Sequence, residues 1–222
     1  MKISLGKIPG RGMALSAALI AAPALDVSAQ DPPASVVQPG APGQPTRTLT
    51  AEQAAALGQP MHVDADVRFM KGMIHHHAQA LEMTGLLATR TESEEMRLLA
   101  QRIDISQTAE TAMMERWLSA RGEEAPDLEA AGAWPLEDDQ LMPGMLTARQ
   151  MAQLATAAGE QFDRLFLELM ILHHQGALTM VEQLFAVSGA AQEPEIFQYV
   201  THVDADQSIE IARMRTMLLA RR

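Results

Sequence analysis

The 222-residue chain carries 17 Lys and Arg against 28 Asp and Glu, a formal net charge of −11 at pH 7, and no cysteine. That balance repels nucleic acid and anionic membrane surfaces and favours cationic ligands. The missing thiols exclude disulfides, thiolate metal sites and the lipid-bearing cysteine of bacterial lipoproteins, so any metal must be held by His, Met, Asp or Glu.

Residues 1–29 read as an export signal. Lys2, Lys7 and Arg11 precede a short apolar run, Met13–Leu25, and Val27-Ser28-Ala29 suits a small-residue cleavage site. The run is shorter than the roughly 20 residues that cross a bilayer, and no later stretch comes closer. A periplasmic or secreted protein without a membrane span is therefore expected. Residues 30–49 are rich in Pro, Gly and small polar residues and lack an apolar period, which predicts a flexible linker, and no segment of the chain reads as a strand.

Helical patterns begin at Thr50, which can cap a short segment over residues 51–57. Asp64 or Asp66 starts a longer helix ending near Ala88. Residues 92–120 place Met96, Leu99, Ile103, Met113, Met114 and Trp117 at helical spacing, and Arg121-Gly122 is a stop signal. Residues 122–146 are acidic and punctuated by Pro and Gly, as expected of a crossover loop. Thr147 then caps a pattern running to about Val187, bent or interrupted near Gly159, and Pro194 leads a last helix to about Leu219. Residues 50–222 are thus expected to form one all-α domain, a four-helix bundle of two helix hairpins over about 60–121 and 147–221.

The two hairpins repeat one pattern. MIHHHAQALEM over Met73–Met83 and MILHHQGALTM over Met170–Met180 share Met-Ile-x-His-His-x-x-Ala-Leu-x-Met at an offset of 97. Asp66 matches Asp163 and Phe69 matches Phe166; farther on, Gln107, Glu110 and Met114 match Gln207, Glu210 and Met214. Packing about a pseudo-twofold axis would bring the equivalent faces together in the core.

At about 100° per residue, Asp66, Met70, Met73, His76, His77, Ala80 and Met83 share one face of the helix, while His75 points away. Leu172 stands at the His75 position of the second copy. Adjacent histidines diverge on a helix, so Met73, three and four residues before them, is the better partner for each. Imidazole and thioether without thiolate suit copper in both oxidation states. Zinc would leave the thioethers without a role, and the Glu-x-x-His pattern of di-iron bundles is missing, which disfavours iron.

The candidate ligands are Met73, His76, His77 and Met83 with Met170, His173, His174 and Met180. Asp66, Glu110, Met114, Asp163, Glu210 and Met214 are candidates for the surrounding shell, the two glutamates as orienters of imidazole N–H groups. A competing reading makes the histidines a buried polar network hydrogen-bonded to Glu110, Glu210, Asp66 and Asp163. Met96, Met113, Met151 and Met217 read as core filler. Met142 and Met145, bracketing Pro143-Gly144, fit either an ion or an apolar gap. His62-Val63-Asp64-Ala65-Asp66 recurs as His202-Val203-Asp204-Ala205-Asp206 outside the main offset. There the i,i+4 pair His202 and Asp206 suits at most an accessory surface metal site.

The combination Asp-x-x-Phe-x-x-x-Met-Ile-x-His-His-x-x-Ala-Leu-x-Met, a downstream Gln-x-x-Glu, and Met-Pro-Gly-Met before the second copy resembles the bacterial family called domain of unknown function 305, over roughly residues 60–220. The resemblance implies a ferritin-like four-helix fold. Because one member is known as an exported copper-binding protein, it also implies copper at Met73, His76, His77, Met83 and their second-copy partners. The second copy has the family's typical His-His-Gln-Gly-Ala, whereas the first has His-His-Ala-Gln-Ala. The expected function is non-catalytic copper sequestration or transfer in the cell envelope, with a homo-oligomer or an envelope copper-handling protein as partner. A ferritin-like metal oxidase and a metal-free structural or signalling module are the alternatives.

Overall fold

A computed structural model describes residues 35–38, 45–56, 61–128 and 141–221. The expected export signal, most of the linker and residues 129–140 of the crossover lie outside the described residues.

The described parts fall into two compact units. In the first, β1 (Ser35–Gln38) pairs antiparallel with β2 (Arg47–Thr50), Ser35 opposite Thr50 and Gln38 opposite Arg47, and α1 (Ala51–Ala56) follows. Thr50 caps α1 as expected: its hydroxyl accepts from the Gln53 N–H at 3.1 Å, and the Gln53 side chain returns to the Thr50 N–H at 2.9 Å. The strand pair corrects the expectation of no strand. Val36, Val37, Thr48 and Thr50 are β-branched, but each four-residue run is too short to show alternation and finds its partner across a Pro- and Gly-rich stretch. Helix α1, expected within the bundle domain, belongs to this first unit.

The second unit comprises α2 (Asp64–Gly85), α3 (Leu87–Arg90), α4 (Glu94–Ser119), α5 (Ala148–Thr156), α6 (Gly159–Phe185) and α7 (Pro194–Leu219). It is all-α, and α2, α4, α6 and α7 are the four long helices of the expected bundle. Ser93 caps α4 through the Met96 N–H, and Thr147 closes a reciprocal capping box with Gln150 at α5. The expected interruption falls at Ala157 and Ala158, and Gly159 follows with φ +58°, a left-handed conformation that costs glycine little. Pro194 stands in the first turn of α7, where its missing N–H is no loss. No described helix is long and apolar enough to cross a membrane.

Two apolar clusters form the core. One contains Met73, Met114 and Trp117 from the first hairpin with Met180, Ile196 and Tyr199 from the second. The other contains Met83, Met96 and Leu99 with Met170, Met214 and Met217. An offset of 97 between α2 and α6, and of 100 between α4 and α7, carries each of these residues of one cluster onto one of the other. Two arginines repeat the relation at the surface. Arg121 caps α4 at the Trp117 carbonyl and pairs with Glu193 and Glu195 at the start of α7. Arg221 caps α7 at the Met217 carbonyl and reaches Ser93 and Glu95 at the start of α4. The hairpins therefore pack about a pseudo-twofold axis, with α4 and α7 antiparallel.

Candidate metal centre

Along each long helix a polar stretch separates the residues of one apolar cluster from those of the other. On α2 it is His76 and His77, on α6 His173 and His174, on α4 Gln107 and Glu110, on α7 Gln207 and Glu210. The four imidazoles are at most 1% exposed. A buried polar group without a partner costs on the order of 1–3 kcal/mol, so the partners of this layer decide what it is for.

The carboxylates answer half of that question. His77 Nε2–H donates to Glu110 Oε2 at 2.8 Å, and His174 Nε2–H donates to Glu210 Oε2 at 2.7 Å. Glu110 Oε1 also accepts from the Ser106 hydroxyl at 2.9 Å. With Nε2 committed to the carboxylate, Nδ1 is the ring nitrogen left to give an electron pair. Both Nδ1 atoms are buried without a hydrogen-bond partner among the described residues, as are both ring nitrogens of His173. These orphaned imidazole nitrogens fit a site built to give electron pairs to a ligand. Glutamates that fix the tautomer from behind are the usual support for metal-binding histidines.

His76 and His173 meet across the pseudo-axis, with ring centroids 3.8 Å apart and planes tilted by 37°. His76 Nε2–H donates to the Pro143 carbonyl at 3.1 Å. Burial pushes the His76 pKa from 6.5 down to about 3, and the neighbouring His77 and His174 imidazoles add to the drop against the opposing pull of the Pro143 carbonyl. Burial also holds His173 well below 6.5, followed by repulsion from His76, His174 and His77. Both rings are therefore neutral at pH 7, the form in which imidazole binds metal.

Thioethers lie on both sides of this layer. Met73 and Met170 are fully buried one turn from the imidazoles, and Met83 and Met180 lie two turns away on the other side. Met180 and Met73 belong to one cluster, and Met83 and Met170 to the other, so each cluster contains a near methionine of one repeat and a far one of the other. Met114 is engaged by the Tyr199 hydroxyl, which donates to its Sδ at 3.2 Å; Met214 is fully buried at the equivalent place. Among the described residues no group of three or more His, Asp or Glu side chains is placed to hold a metal ion. A cage of nitrogen and oxygen side-chain ligands alone is thus not preformed there, and the buried methionines are the other soft donors on these helices.

Asp66 and Asp163 are not members of this layer. Each precedes its histidine pair by ten residues, about 15 Å along the helix. Asp66 accepts from the Val63 N–H at 2.9 Å and from the Ala191 N–H at 2.8 Å, which caps α2 and pins the α6–α7 turn. Asp163 lies 3.9 Å from Arg221 Nε. Their shared position reflects helix starts, not imidazole support. His75 is half-buried, away from the site, and its pKa is lowered by partial burial. His62 packs edge-on against Trp117, with ring centroids 5.4 Å apart.

The crossover supplies what sequence reasoning missed. Gln79 accepts from the Leu146 N–H at 2.7 Å and donates to the Leu146 carbonyl at 3.0 Å, stapling the crossover to α2. At the equivalent position of α6 stands Gly176, where a Cβ would lie 2.0 Å from the Pro143 carbonyl oxygen. Gly144, with φ +76°, closes the same contact. The departure between His-His-Ala-Gln-Ala and His-His-Gln-Gly-Ala is thus two different ways of holding one strap. Met142 and Met145 are positioned by it: Met145 is buried, and Met142 Sδ would lie 3.1 Å from a Cβ on Gly72.

Residues 66–218 match the family model described as domain of unknown function, DUF305. The chain belongs to the DUF305 family. A DUF305 fragment from Deinococcus radiodurans is 31% identical in sequence, with a TM-score of 0.62 over 72% of this chain and 98% of that one. A putative secreted DUF305 protein from Streptomyces coelicolor is 30% identical, with a TM-score of 0.61 over 71% and 93%. CopM in its Cu(II)-bound form is 26% identical, with a TM-score of 0.57 over 70% and 96%. No curated protein matches the chain. The DUF305 resemblance read from the duplicated His-His pattern therefore holds, as does the helical bundle it implied.

Proposed function

We propose that this DUF305 protein binds copper reversibly in the His–Met layer and sequesters it or passes it on in the cell envelope, without catalytic turnover. The observation that carries this reading is the pair of buried imidazoles, His77 and His174, whose Nδ1 atoms lack partners while Glu110 and Glu210 hold their Nε2 atoms. An apolar or purely hydrogen-bonded core would not leave those nitrogens bare. Thioethers on both sides and no thiolate anywhere favour a soft ion that also accepts imidazole, which is copper over zinc or iron. His76, His77, His173 and His174 would supply the nitrogens, and Met73 and Met170, with Met83 and Met180 behind them, the sulfurs. The face-to-face His76 and His173 rings would have to turn for both to reach one ion.

The likeness to CopM, whose structures include Cu(II)-bound and Cu(I)-bound forms, supports the choice of metal. The likeness to a putative secreted relative and the basic, then apolar, start of the chain support export. Titration with Cu(I) and Cu(II) is the test. In a variant with His76, His77, His173 and His174 replaced by Gln and Met73 and Met170 by Leu, the tight stoichiometry should vanish while far-UV circular dichroism stays helical. Unchanged stoichiometry in that variant would refute the assignment.

A further inference from the structure

Two grooves run along the face between α4 and α7, and the internal repeat relates them. One, of about 360 Å3, is walled by Glu110 and Met113 of α4 and by Glu195, Tyr199, His202 and Asp206 of α7. The other, of about 590 Å3, is walled by Leu98, Arg102, Ile105, Ser106 and Arg213. The offset of 100 that superimposes α4 on α7 sets His202 against Arg102, Asp206 against Ser106, and Met113 against Arg213. Duplication thus produced two equivalent grooves, and substitution gave them opposite character. The first carries three carboxylates, an imidazole and a thioether; the second carries two guanidinium groups and no acid.

The acidic groove also communicates with the interior. Glu110, in its wall, is hydrogen-bonded at 2.8 Å to buried His77, whose Nδ1 has no partner. Tyr199, in the same wall, donates to Met114 Sδ at 3.2 Å. Two wall residues therefore each touch one buried group of the imidazole and thioether layer. The Glu110 side chain is 18% exposed against 10% for Glu210, so the layer is more open on this side.

We infer that the acidic groove is the entrance through which the metal cation reaches the buried layer, and that the arginine-walled groove is closed to it. The inference rests on the copper-binding reading above and adds the direction of loading. Asp206 and Glu195, the latter shared with Arg121 at the groove's edge, draw the cation to the mouth, since carboxylates lining a cleft raise the local concentration of a cation and its rate of entry, and His202 offers an imidazole beside them. Glu110 is the relay: it faces the groove with one carboxylate and holds His77 with the same group. His202 and Asp206, left over by the main repeat, thereby gain a role without forming a separate site.

The experiment is stopped-flow loading of the purified protein with Cu(II), followed by tryptophan quenching at low and at high ionic strength. The triple variant E195Q/H202A/D206N should load about tenfold more slowly at low salt with unchanged stoichiometry, and the difference should shrink as salt screens the mouth. Ala109→Trp, which fills the acidic groove, should slow both loading and removal of copper by a chelator, whereas Leu98→Trp and R102Q/R213Q in the other groove should slow neither. Wild-type loading rates in the triple variant and in Ala109→Trp, or equal slowing by the variants of the arginine groove, would overturn the entrance while leaving copper binding intact. Failure of the wild-type protein to take up copper would instead overturn the copper-binding reading, and the entrance with it.

Discussion

Replacing Gly176 by Ala puts one methyl group where the structure has none to spare. Its carbon would lie 2.0 Å from the Pro143 carbonyl oxygen, 2.3 Å from the Pro143 carbonyl carbon and 2.5 Å from Gly144 Cα. All three are backbone atoms, so no side chain can swing away; the strap must lift off α6 by more than an ångström. Lifting it breaks the 3.1 Å bond from His76 to the Pro143 carbonyl and loosens the packing that Met142 and Met145 make beneath it. Overpacking of this kind costs about 1–3 kcal/mol, and the lost hydrogen bond adds about 1 kcal/mol. For a domain of this size, each kcal/mol lowers the melting temperature by about 2–4 °C. Thermal unfolding of the metal-free protein should therefore show a drop of about 4–16 °C, and the His76 ring should lose its fixed Nε2–H tautomer in 15N spectra. A melting temperature within 1 °C of wild type, with the His76 tautomer unchanged, would refute the reasoning, because it would mean that the strap does not rest on Gly176.

Gln79→Ala removes the other attachment and leaves the buried N–H and carbonyl of Leu146 without partners. It should cost about 2–4 kcal/mol in urea unfolding, and far less if water fills the gap. The histidine pair makes the fold acid-sensitive. His76 titrates at 6.5 unfolded but at about 3 folded, so the unfolded chain binds the proton first, and stability is complete above about 6.5 and lost as pH falls toward 3. By pH 5 this one group removes about 2 kcal/mol, and His76→Gln should flatten that part of the urea midpoint's pH profile. Glu110→Ala and Glu210→Ala should each weaken copper affinity about 10- to 100-fold in competition titrations by freeing the imidazole tautomer. Copper at about 100 times its Kd should add about 2.7 kcal/mol to the stability of the wild type, and an unshifted melting curve would contradict binding by the folded state.

The helices of the second unit were legible because local signals agreed with one another. Thr147 with Gln150, the break before Gly159 and Pro194 at the head of α7 each announce a boundary through the chemistry of a helix end. The imidazole layer was legible because it was written twice. Contacts that depend on distant chain segments were not. Gln79 and Gly176 occupy equivalent places yet hold the strap by opposite means, and nothing local distinguishes either from an ordinary helical residue. Nothing local to Tyr199 announces that its hydroxyl finds Met114 on another helix. Asp66 was misplaced for the reverse reason: its repetition as Asp163 suggested a shared site, whereas a carboxylate in the first turn has backbone N–H groups within reach. The strands were hidden because four residues amid Pro and Gly show no period.

The exchange of residues between the two apolar clusters bears on how the protein came to exist and how it must fold. Met73 and Met114 need Met180 and Tyr199, and Met83 needs Met170 and Met214, so neither hairpin owns a core. Half a chain released alone would present a bare apolar face and would bury it only by meeting a second copy of itself. The protein is in effect a homodimer whose subunits were joined by the crossover, and fusion gave it what a true dimer cannot have: two halves free to differ, one with a glutamine and the other with a glycine beneath the same strap.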